Sequence, residues 1–463
     1  MSVSVVWFRR DLRIHDHPAL LAAVASGDAV APLFVVDDAL IGARWPCGNR
    51  LWFMHASVAA LALELEALGA PLSVVRGRPV DAVPAFAAAA GARRVLVSRD
   101  LLPYGRQRDA RVANRLGDID IAFEATPGVL IHEPEAVSTA AGTPFRMYGP
   151  FRRTWLRTPR RMALPAPDRI RAARIPATPG IEAVLPRPTL TADPASMPEP
   201  GEPAARSRLE RWAGSDAIER YASGRDRLDL DGTSRLSQDL RFGLLSPVEV
   251  AEHCEGPGDG RARFIDELAW RDFYAHLLWH EPRALHRSYR QAFERVARVD
   301  DPAVIDAWRD GRTGYPVVDA AMHQLRETGW MHNRARMIVA SFLTKHLGVD
   351  WRVGEAHFME HLIDGDPASN NGGWQWAAST GTDPQPWFRI FNPTLQGMRH
   401  DPDGDWVRRW LPELAAIPGP AVHEPPAGAY LPRIVDSALG RDSALAAYRE
   451  ARDRGRDGVP SKA

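Results

Sequence analysis

The chain has 463 residues and a mass of 51.2 kDa, which favours two or three domains over a single core. Lys plus Arg and Asp plus Glu both number 58, so the net charge is zero and any nucleic-acid site must be a local patch. Two cysteines, no signal-like start and no apolar run of ~20 residues predict a cytoplasmic protein without a membrane role.

Residues 1–128 alternate short β-rich runs with helical stretches such as Leu51 to Leu68, which predicts a doubly wound parallel sheet. No G-x-G-x-x-G motif follows the first run, where Trp7 to Arg13 stands instead, so the usual mode of dinucleotide binding is not expected here. The predicted strands are Val3 to Phe8, Leu33 to Val36, Leu72 to Val75, Val95 to Val97 and Ile119 to Phe123.

Residues 129–203 are rich in Pro, Ala and Thr, which predicts a long interdomain connector without long elements. Residues 204–463 have a helical apolar period, as in Phe264 to His280, Pro316 to Glu327 and Met331 to Leu347, so this domain is predicted to be all α. Trp374 and Trp376 lie in a Gly-rich stretch, residues 370–376, that predicts a ligand-contacting loop, although Trp usually serves packing.

Glu267, Trp270 and Arg271 follow one another at i, i+3 and i+4, so an acid, an indole and a guanidinium share one helix face. That face suits a polar aromatic ligand. The spacing is equally typical of a surface ion pair between Glu267 and Arg271 beside a core Trp.

Asn333 and Met337 share a second helix face with Arg336 beside them, which allows an amide, a thioether and a guanidinium to converge; a solvated amphipathic helix is the alternative. The carboxylates of Asp364 and Asp366 can pair with Arg336 or bind a cofactor's ribose and N–H groups, or simply mark a turn.

The stretch Thr233 to Ser237 offers hydroxyls and backbone N–H groups at a predicted helix start. Such a start suits a pyrophosphate, and simple N-capping is the alternative use of the same residues.

His357 to His361 matches the H-x-x-E-H pattern of zinc metallohydrolases. Such an enzyme needs a third ligand and an open cleft, and the sequence indicates neither independently. We therefore expect no metal site, and a metallohydrolase is a remote alternative.

Taken in order, these stretches resemble the DNA photolyase and cryptochrome family, especially its bacterial class I cyclobutane pyrimidine dimer photolyases. The resemblance covers essentially the whole chain. Its most specific portions are Val6 to Arg13, Thr233 to Ser237, Glu267 to Tyr274, Thr313 to Pro316, Gly329 to Met337 and Leu362 to Trp387.

The resemblance implies an FAD buried in the helical domain, whose excited reduced form lends an electron to a pyrimidine dimer flipped out of DNA. Its phosphates would lie near Thr233 to Ser237, and its ring near Asn333 and Arg336. The implied cofactor-binding residues are Tyr221, Thr233, Ser234, Arg235, Leu236, Ser237, Glu267, Arg271, Asn333, Arg336, Asp364, Asp366 and Asn370.

The resemblance also implies the catalytic roles. Glu267 would hydrogen-bond the dimer, as a protonated acid able to donate, and Asn333 would face flavin N5. Trp270 and Trp376 would wall the dimer pocket, with Met337 packed on the dimer itself. DNA phosphates would be held by Arg225, Arg334 and Arg389.

The family's electron-transfer chain is matched by Trp374 and Trp351, but Arg298 stands at its outermost position, where the family usually has Trp. Arg cannot be oxidised as an indole can. Photoreduction of the flavin through this outermost position is therefore not expected. Candidates for the terminal electron donor are Trp308, Trp279 and Tyr315.

The stretch Asp100 to Arg106 resembles deazaflavin-binding members more than folate-binding ones, so 8-hydroxy-5-deazaflavin is the expected antenna chromophore. FMN, methenyltetrahydrofolate and an empty antenna site are alternatives. Arg50 and Asp100 would be its contacts, although structural roles are an alternative for each.

Two alternatives lie within the family. A cryptochrome-like light sensor often carries a long C-terminal tail and Asp or Cys at the position of Asn333. A (6-4) photolyase should have His where Met337 stands. Asn333 and Met337 both favour repair of cyclobutane dimers. We expect the chain to act as a monomer without an obligate protein partner.

Overall fold

The structure is a computed structural model that describes residues 2–42, 45–175, 178–384 and 386–457. Its first part is a parallel five-stranded sheet in the order β3-β2-β1-β4-β5, and the order changes direction between β1 and β4. The strands are β1 (Val3–Phe8), β2 (Ala29–Asp37), β3 (Ser73–Gly77), β4 (Ala92–Ser98) and β5 (Ala122–Thr126).

The central strands are mostly apolar because helices cover both faces of the sheet, and every residue of β2 is buried. The predicted parallel sheet is thus confirmed. The fifth strand begins at Ala122 rather than at Ile119, because Asp118 caps α5 and the chain then turns through Asp120, which has φ of 57°. The helices here are α1 (Pro18–Ala25), α2 (Asp38–Ile41), α3 (Gly48–Ala67), α4 (Pro79–Ala89) and α5 (Pro103–Gly117).

The proline-rich stretch between the sheet and the helical part contains one helix of ten residues, α6 (Tyr148–Arg157), and one short turn, α7 (Ile181–Val184). Tyr148, Phe151 and Trp155 lie on the buried side of α6 and pack onto the helical part. The expectation that no long element interrupts this stretch was therefore wrong for residues 148–157, where prolines are sparse.

The remainder is helical, as predicted. One cluster of buried apolar side chains joins it to one face of the sheet, for example through the contact of Phe53 with Phe242. Arg13 is fully buried and donates to the carbonyls of Gly128 and Gly243, which ties the two parts together. The helices are α8 (Glu202–Ala213), α9 (Asp216–Glu219), α10 (Tyr221–Gly224), α11 (Ser237–Phe242), α12 (Pro247–Cys254), α13 (Asp259–His280), α14 (Pro302–Arg309), α15 (Pro316–Thr328), α16 (Asn333–Ser341), α17 (Trp351–His361), α18 (Pro367–Ala377), α19 (Pro393–His400), α20 (Asp405–Trp410) and α21 (Ser437–Asp457).

Shorter helical turns complete the chain. A π-helical turn, Phe342–His346, continues α16. The 3-10 turns are Pro134–Ala136, Pro194–Ser196, Pro282–Leu285, Gln291–Arg295, Pro412–Leu414 and Gly419–His423. Across the described ranges, every helix is too short or too polar to cross a bilayer.

The Gly-rich stretch 370–376 lies inside α18 and is not the loop expected from its composition. Asp366 caps this helix by accepting from the backbone N–H groups of Ala368 and Ser369, and Pro367 occupies its first position. Gly372 is required by packing, because a Cβ there would lie 2.1 Å from Cδ1 of Tyr274. Tertiary contact has therefore overridden the low helix propensity of glycine.

Candidate active site

Helix α13 carries the predicted acid and one predicted indole on one face. Glu267 and Trp270 are partly exposed there. Arg271 points elsewhere and donates to the carbonyls of Val129 (2.8 Å) and Leu240 (3.3 Å). The surface ion pair between Glu267 and Arg271, one of two interpretations of the spacing, is therefore absent, and Arg271 instead joins three segments of the chain.

Glu267 lies in a network of alternating charges. Arg225 donates a hydrogen bond to its carboxylate, and Arg263 lies 3.3 Å from the same oxygen. Arg225 also lies 3.7 Å from Asp226, which pairs with Arg334 at 2.7 Å. The predicted acid and two of the predicted DNA-binding arginines thus lie together, whereas Arg389 is exposed on the segment after α18.

Trp270 and Trp376 line one small pocket of about 30 Å³, formed where α13 meets α18. The structure therefore brings the two predicted indoles together. Three further aromatic residues line the same pocket, namely Phe273, Tyr274 and Tyr289. Their ring faces form an apolar wall next to the charge network.

Tyr148 supports this wall and was missed by sequence reasoning. Its ring stacks on Trp270 with centroids 3.6 Å apart and planes 10° apart, and its hydroxyl donates to the carbonyl of Asp266 at 2.8 Å. Its backbone N–H donates to Asp383, which borders the pocket. The helical spacing of Tyr148, Phe151 and Trp155 was the signal that would have revealed this helix within the proline-rich stretch.

Helix α16 presents Asn333, Arg336 and Met337 together. His332 caps the helix by accepting from the N–H of Arg334, which fixes where it begins. The amide Nδ2 of Asn333 is exposed and lies 4.0 Å from Sδ of Met337. The predicted convergence of amide and thioether is confirmed.

The predicted pair between Arg336 and Asp364 is also confirmed, with Nη2 and Oδ2 separated by 2.8 Å. The other carboxylate oxygen, Oδ1, is buried without a hydrogen-bond partner among the described residues. A buried acceptor in this state is costly unless a ligand donates to it. Oδ1 of Asp364 is therefore available to accept a hydrogen bond from a ligand.

Asp366 and Asn370 are used by the protein itself. Besides capping α18, Asp366 forms a 2.6 Å ion pair with Arg10, and Asn370 donates to the carbonyl of Glu355 at 3.0 Å. Burial alone would raise the pKa of Asp366, but Arg10 and Arg241 hold this pKa far below its ordinary value. Arg10 and Arg241 therefore keep this carboxylate charged.

The stretch Thr233 to Ser237 forms a loop that leads into α11. Leu236 is the N-cap residue of this helix, and no side chain caps it, so the N-capping interpretation was wrong. Arg235 has φ of 50°, a left-handed conformation that turns the loop. Thr233 and Arg235 border a cavity of about 640 Å³ together with Trp330.

Tyr221 is buried in an aromatic cluster with Trp212 and Phe264, with ring centroids 5.6 Å apart in both contacts. Trp374 and Trp351 are fully buried as well. Trp374 makes an edge-to-face contact with Trp308 at 6.1 Å. Of the three alternative electron donors, Trp308 is thus in ring contact with Trp374, although it is itself fully buried.

The two residues expected to contact the antenna chromophore make contacts within the protein. Arg50 donates to the carbonyls of Met359 (2.7 Å) and Trp45 (3.0 Å). Asp100 pairs with Arg108 at 3.1 Å. Both charges are thus used in structural contacts at the junction of the two parts of the fold.

The residues fit FAD by their own chemistry. The unpartnered Oδ1 of Asp364 can accept from a ring N–H, and the exposed amide of Asn333 can both donate and accept. The hydroxyls of Thr233 and Ser237 do not cap the helix, and hydroxyl groups can donate hydrogen bonds to phosphate oxygens. Together these features define a flavoprotein with an α/β part and a helical part.

The chain belongs to the DNA photolyase family. Residues 4–168 match the family described as DNA photolyase, and residues 264–450 match the FAD binding domain of DNA photolyase. The resemblance inferred from the motifs is confirmed.

A relative from Salmonella typhimurium named deoxyribodipyrimidine photo-lyase is 40% identical over 98% of this chain and 99% of its own length. A solved bacterial class III photolyase from Agrobacterium tumefaciens superposes with a TM-score of 0.92 at 36% identity, covering 98% of each chain. A cryptochrome from Synechocystis superposes with a TM-score of 0.88 at 28% identity over 96% of this chain and 99% of its own.

Proposed function

We propose that this chain repairs cyclobutane pyrimidine dimers in DNA by light-driven electron transfer from reduced FAD. The observation that carries the proposal is the shared pocket of Trp270 and Trp376, adjacent on α13 to the carboxylate of Glu267. A pocket of about 30 Å³ is smaller than a pair of bases, so it would widen as the bases enter. Stacking of a base on an aromatic ring is worth ~1 to 3 kcal/mol. A dimer is poorly stacked in the duplex, so its extrusion costs less than that of sound bases.

We infer that Asn333, Arg336 and Asp364 hold the flavin ring and that the loop residues Thr233, Ser234, Arg235, Leu236 and Ser237 hold its phosphates. When bound, reduced FAD supplies the electron that blue light makes available. Arg271, Asp366, Asn370 and Tyr221 would form the surrounding wall, since their polar atoms or rings are already engaged by the protein.

Glu267 would bind the dimer's carbonyl edge, and Met337 would pack on the dimer beside Asn333. Because Glu267 is paired with Arg225, we infer that substrate phosphates draw Arg225 away and release the carboxyl group. Arg334 and Arg389 would hold neighbouring phosphates. A local set of arginines reconciles DNA binding with a net charge of zero.

The test is repair of a dimer-containing oligothymidine by the reduced, illuminated protein. We expect Glu267→Ala to lower the yield of splitting several-fold, and Trp270→Ala mainly to weaken binding. Full flavin absorbance with no repair of this lesion would favour a cryptochrome-like light sensor. Repair of (6-4) lesions alone would favour a (6-4) photolyase. A colourless protein that holds zinc would favour the metallohydrolase.

For recharging oxidised flavin, we propose a route through Trp374 and Trp308 beside the expected route through Trp374 and Trp351. The edge-to-face contact of Trp374 with Trp308 supports it, because Arg298 cannot serve as an outer donor. Transient absorption after a flash should show slower flavin reduction in Trp308→Phe than in Tyr315→Phe. Equal rates in these two variants would contradict this route.

We propose 8-hydroxy-5-deazaflavin as the antenna, with FMN or methenyltetrahydrofolate as alternatives. In doubly wound sheets, ligands bind at the carboxyl ends of the strands where the strand order reverses, here between β1 and β4. Arg50 and Asp100 would shape this site from within the protein. Absorption and excitation spectra after reconstitution with each compound distinguish the three.

We also infer that the chain acts as a monomer in the cytoplasm. Cys47 and Cys254 are both buried free thiols, which suits a reducing compartment. Light scattering of the purified protein, alone and with DNA, tests whether the protein is monomeric.

A further inference from the structure

Three possible metal ligands converge on helix α17, away from the residues assigned to flavin and DNA. His357, Glu360 and His361 follow one another at i, i+3 and i+4, which places them on one face of the helix. One ligand atom from each lies within 4.8 Å of the other two. Two imidazoles and a carboxylate form a donor set typical of zinc-like ions.

All three groups retain lone pairs that the protein does not use. His357 is only 7% exposed, and within the described residues its imidazole packs against the rings of Trp308 and His361. Over the same ranges, Glu360 has no ion pair, although the chain pairs many other carboxylates with arginines. The donor types of these three groups and their mutual distances suit a metal ion.

The orientation of His361 supports the same conclusion. Its Nδ1 lies 2.9 Å from the carbonyl oxygen of His357, so the N–H belongs on Nδ1 and Nε2 keeps its lone pair. Metal-bound histidines commonly donate their other N–H to a backbone carbonyl in this way. The two imidazole centroids are 4.2 Å apart, so both rings can approach one ion.

We propose that His357, Glu360 and His361 bind one divalent transition-metal ion of the zinc class. Zinc bonds of ~2.0 to 2.2 Å place tetrahedral ligand atoms about 3.4 Å apart. The present separations therefore close by rotation of Glu360, which is partly exposed, while the hydrogen bond from Nδ1 holds His361 in place. Water completes the coordination on the solvent side.

One nearby cation opposes an added positive charge at this site. Burial and the neighbouring His361 and Arg309 lower the pKa of His357, and the exposed ion pair of Arg309 with Asp306 at 3.3 Å offsets the charge of Arg309 only in part. The ring of Trp308 contacts His357 edge-to-face at 5.4 Å. A paramagnetic ion bound here would quench the fluorescence of this indole, which gives the site a signature independent of repair activity.

The experiment uses the untagged, flavin-loaded protein after removal of metals with a chelator. Calorimetric titration with Zn²⁺ or Ni²⁺ should show one equivalent bound, and Cu²⁺ should give an electron paramagnetic resonance spectrum with nitrogen ligands. His361→Gln and Glu360→Gln should each weaken binding more than tenfold. In Trp308→Phe, Cu²⁺ should quench less of the fluorescence.

The matched control is His280→Gln. His276 and His280 also lie at i, i+4 on a helix, with ring centroids 4.5 Å apart, but Trp279 stands where α17 has its carboxylate. This control should bind metal as the unaltered protein does. The proposal is overturned if no equivalent binds, or if His280→Gln loses as much affinity as His361→Gln while both variants keep the melting temperature.

Discussion

Arg225 donates a hydrogen bond to Glu267, so the predicted dimer-binding acid is held by a predicted phosphate-binding cation. Asp226 lies between Arg225 and Arg334 and extends this network of charges. The same arginines cannot hold these carboxylates and two DNA phosphates equally well. DNA binding should therefore compete with the network.

We expect Asp226→Asn to tighten binding of dimer-containing DNA, because it removes a carboxylate that competes with phosphate for Arg334 and Arg225. Partly exposed ion pairs are worth ~0.2 to 1 kcal/mol, which corresponds to about 1.5- to 5-fold in the dissociation constant. Fluorescence anisotropy across a series of salt concentrations measures the effect. Asp229→Asn is the control, since Asp229 pairs with Arg227 instead. Weaker binding in Asp226→Asn would show that the carboxylate orients the arginines.

Replacing Tyr148 should weaken dimer binding through Trp270. In Tyr148→Ala the indole loses its stacked support, and aromatic pairs of this kind contribute ~0.5 to 1.5 kcal/mol. Tyr148→Phe keeps the stack and loses only the hydrogen bond to Asp266. Binding to a dimer-containing oligonucleotide should therefore fall in the Ala variant and stay nearly unchanged in the Phe variant. An equal loss in both would assign the effect to the hydroxyl group.

Two adjacent glycines in α18 should respond oppositely to alanine. A Cβ at Gly372 would lie 2.1 Å from the ring of Tyr274, so Gly372→Ala should destabilise the protein by ~1 to 3 kcal/mol. A Cβ at Gly373 meets nothing within 4 Å, so Gly373→Ala should gain ~0.8 to 1 kcal/mol of helix propensity. Melting temperatures of the two variants test this. A fall of equal size in both would contradict the packing explanation.

Acid should destabilise the fold through His332. Burial lowers the pKa of this side chain from 6.5 to about 4, and its neutral ring caps α16. Because the unfolded chain binds a proton at a higher pH, the free energy of unfolding should fall as the pH drops from 6.5 towards 4. The slope is at most ~1.4 kcal/mol per pH unit for each such histidine. Burial similarly lowers the pKa of three others to about 4, namely His276, His346 and His400.

His332→Asn tests this dependence. Asn is a good N-cap residue that does not titrate in this range, so the variant should keep helix α16 and lose part of the acid sensitivity. Urea unfolding at pH 7.5 and pH 5 gives the two free energies. If the difference between the two pH values is the same in both proteins, His332 does not titrate on unfolding.

Local periodicity in the sequence was enough to predict the strands, the helix that ends at His280 and the helix from Pro316. Each depends on which face of a segment is apolar, a property that neighbouring residues determine. The motifs around Glu267 and Asn333 likewise follow helix geometry, so their shared faces were predictable. The family followed from the order of these motifs.

Only the tertiary structure decided how distant segments use the same residues. Glu267 pairs with Arg225 and not with Arg271, because Arg271 is drawn to carbonyls of two distant segments. Residues 370–376 are helical because Asp366 caps them and Tyr274 packs on Gly372. Contacts of this kind join residues that are far apart in the sequence, so the local pattern of one segment cannot predict them.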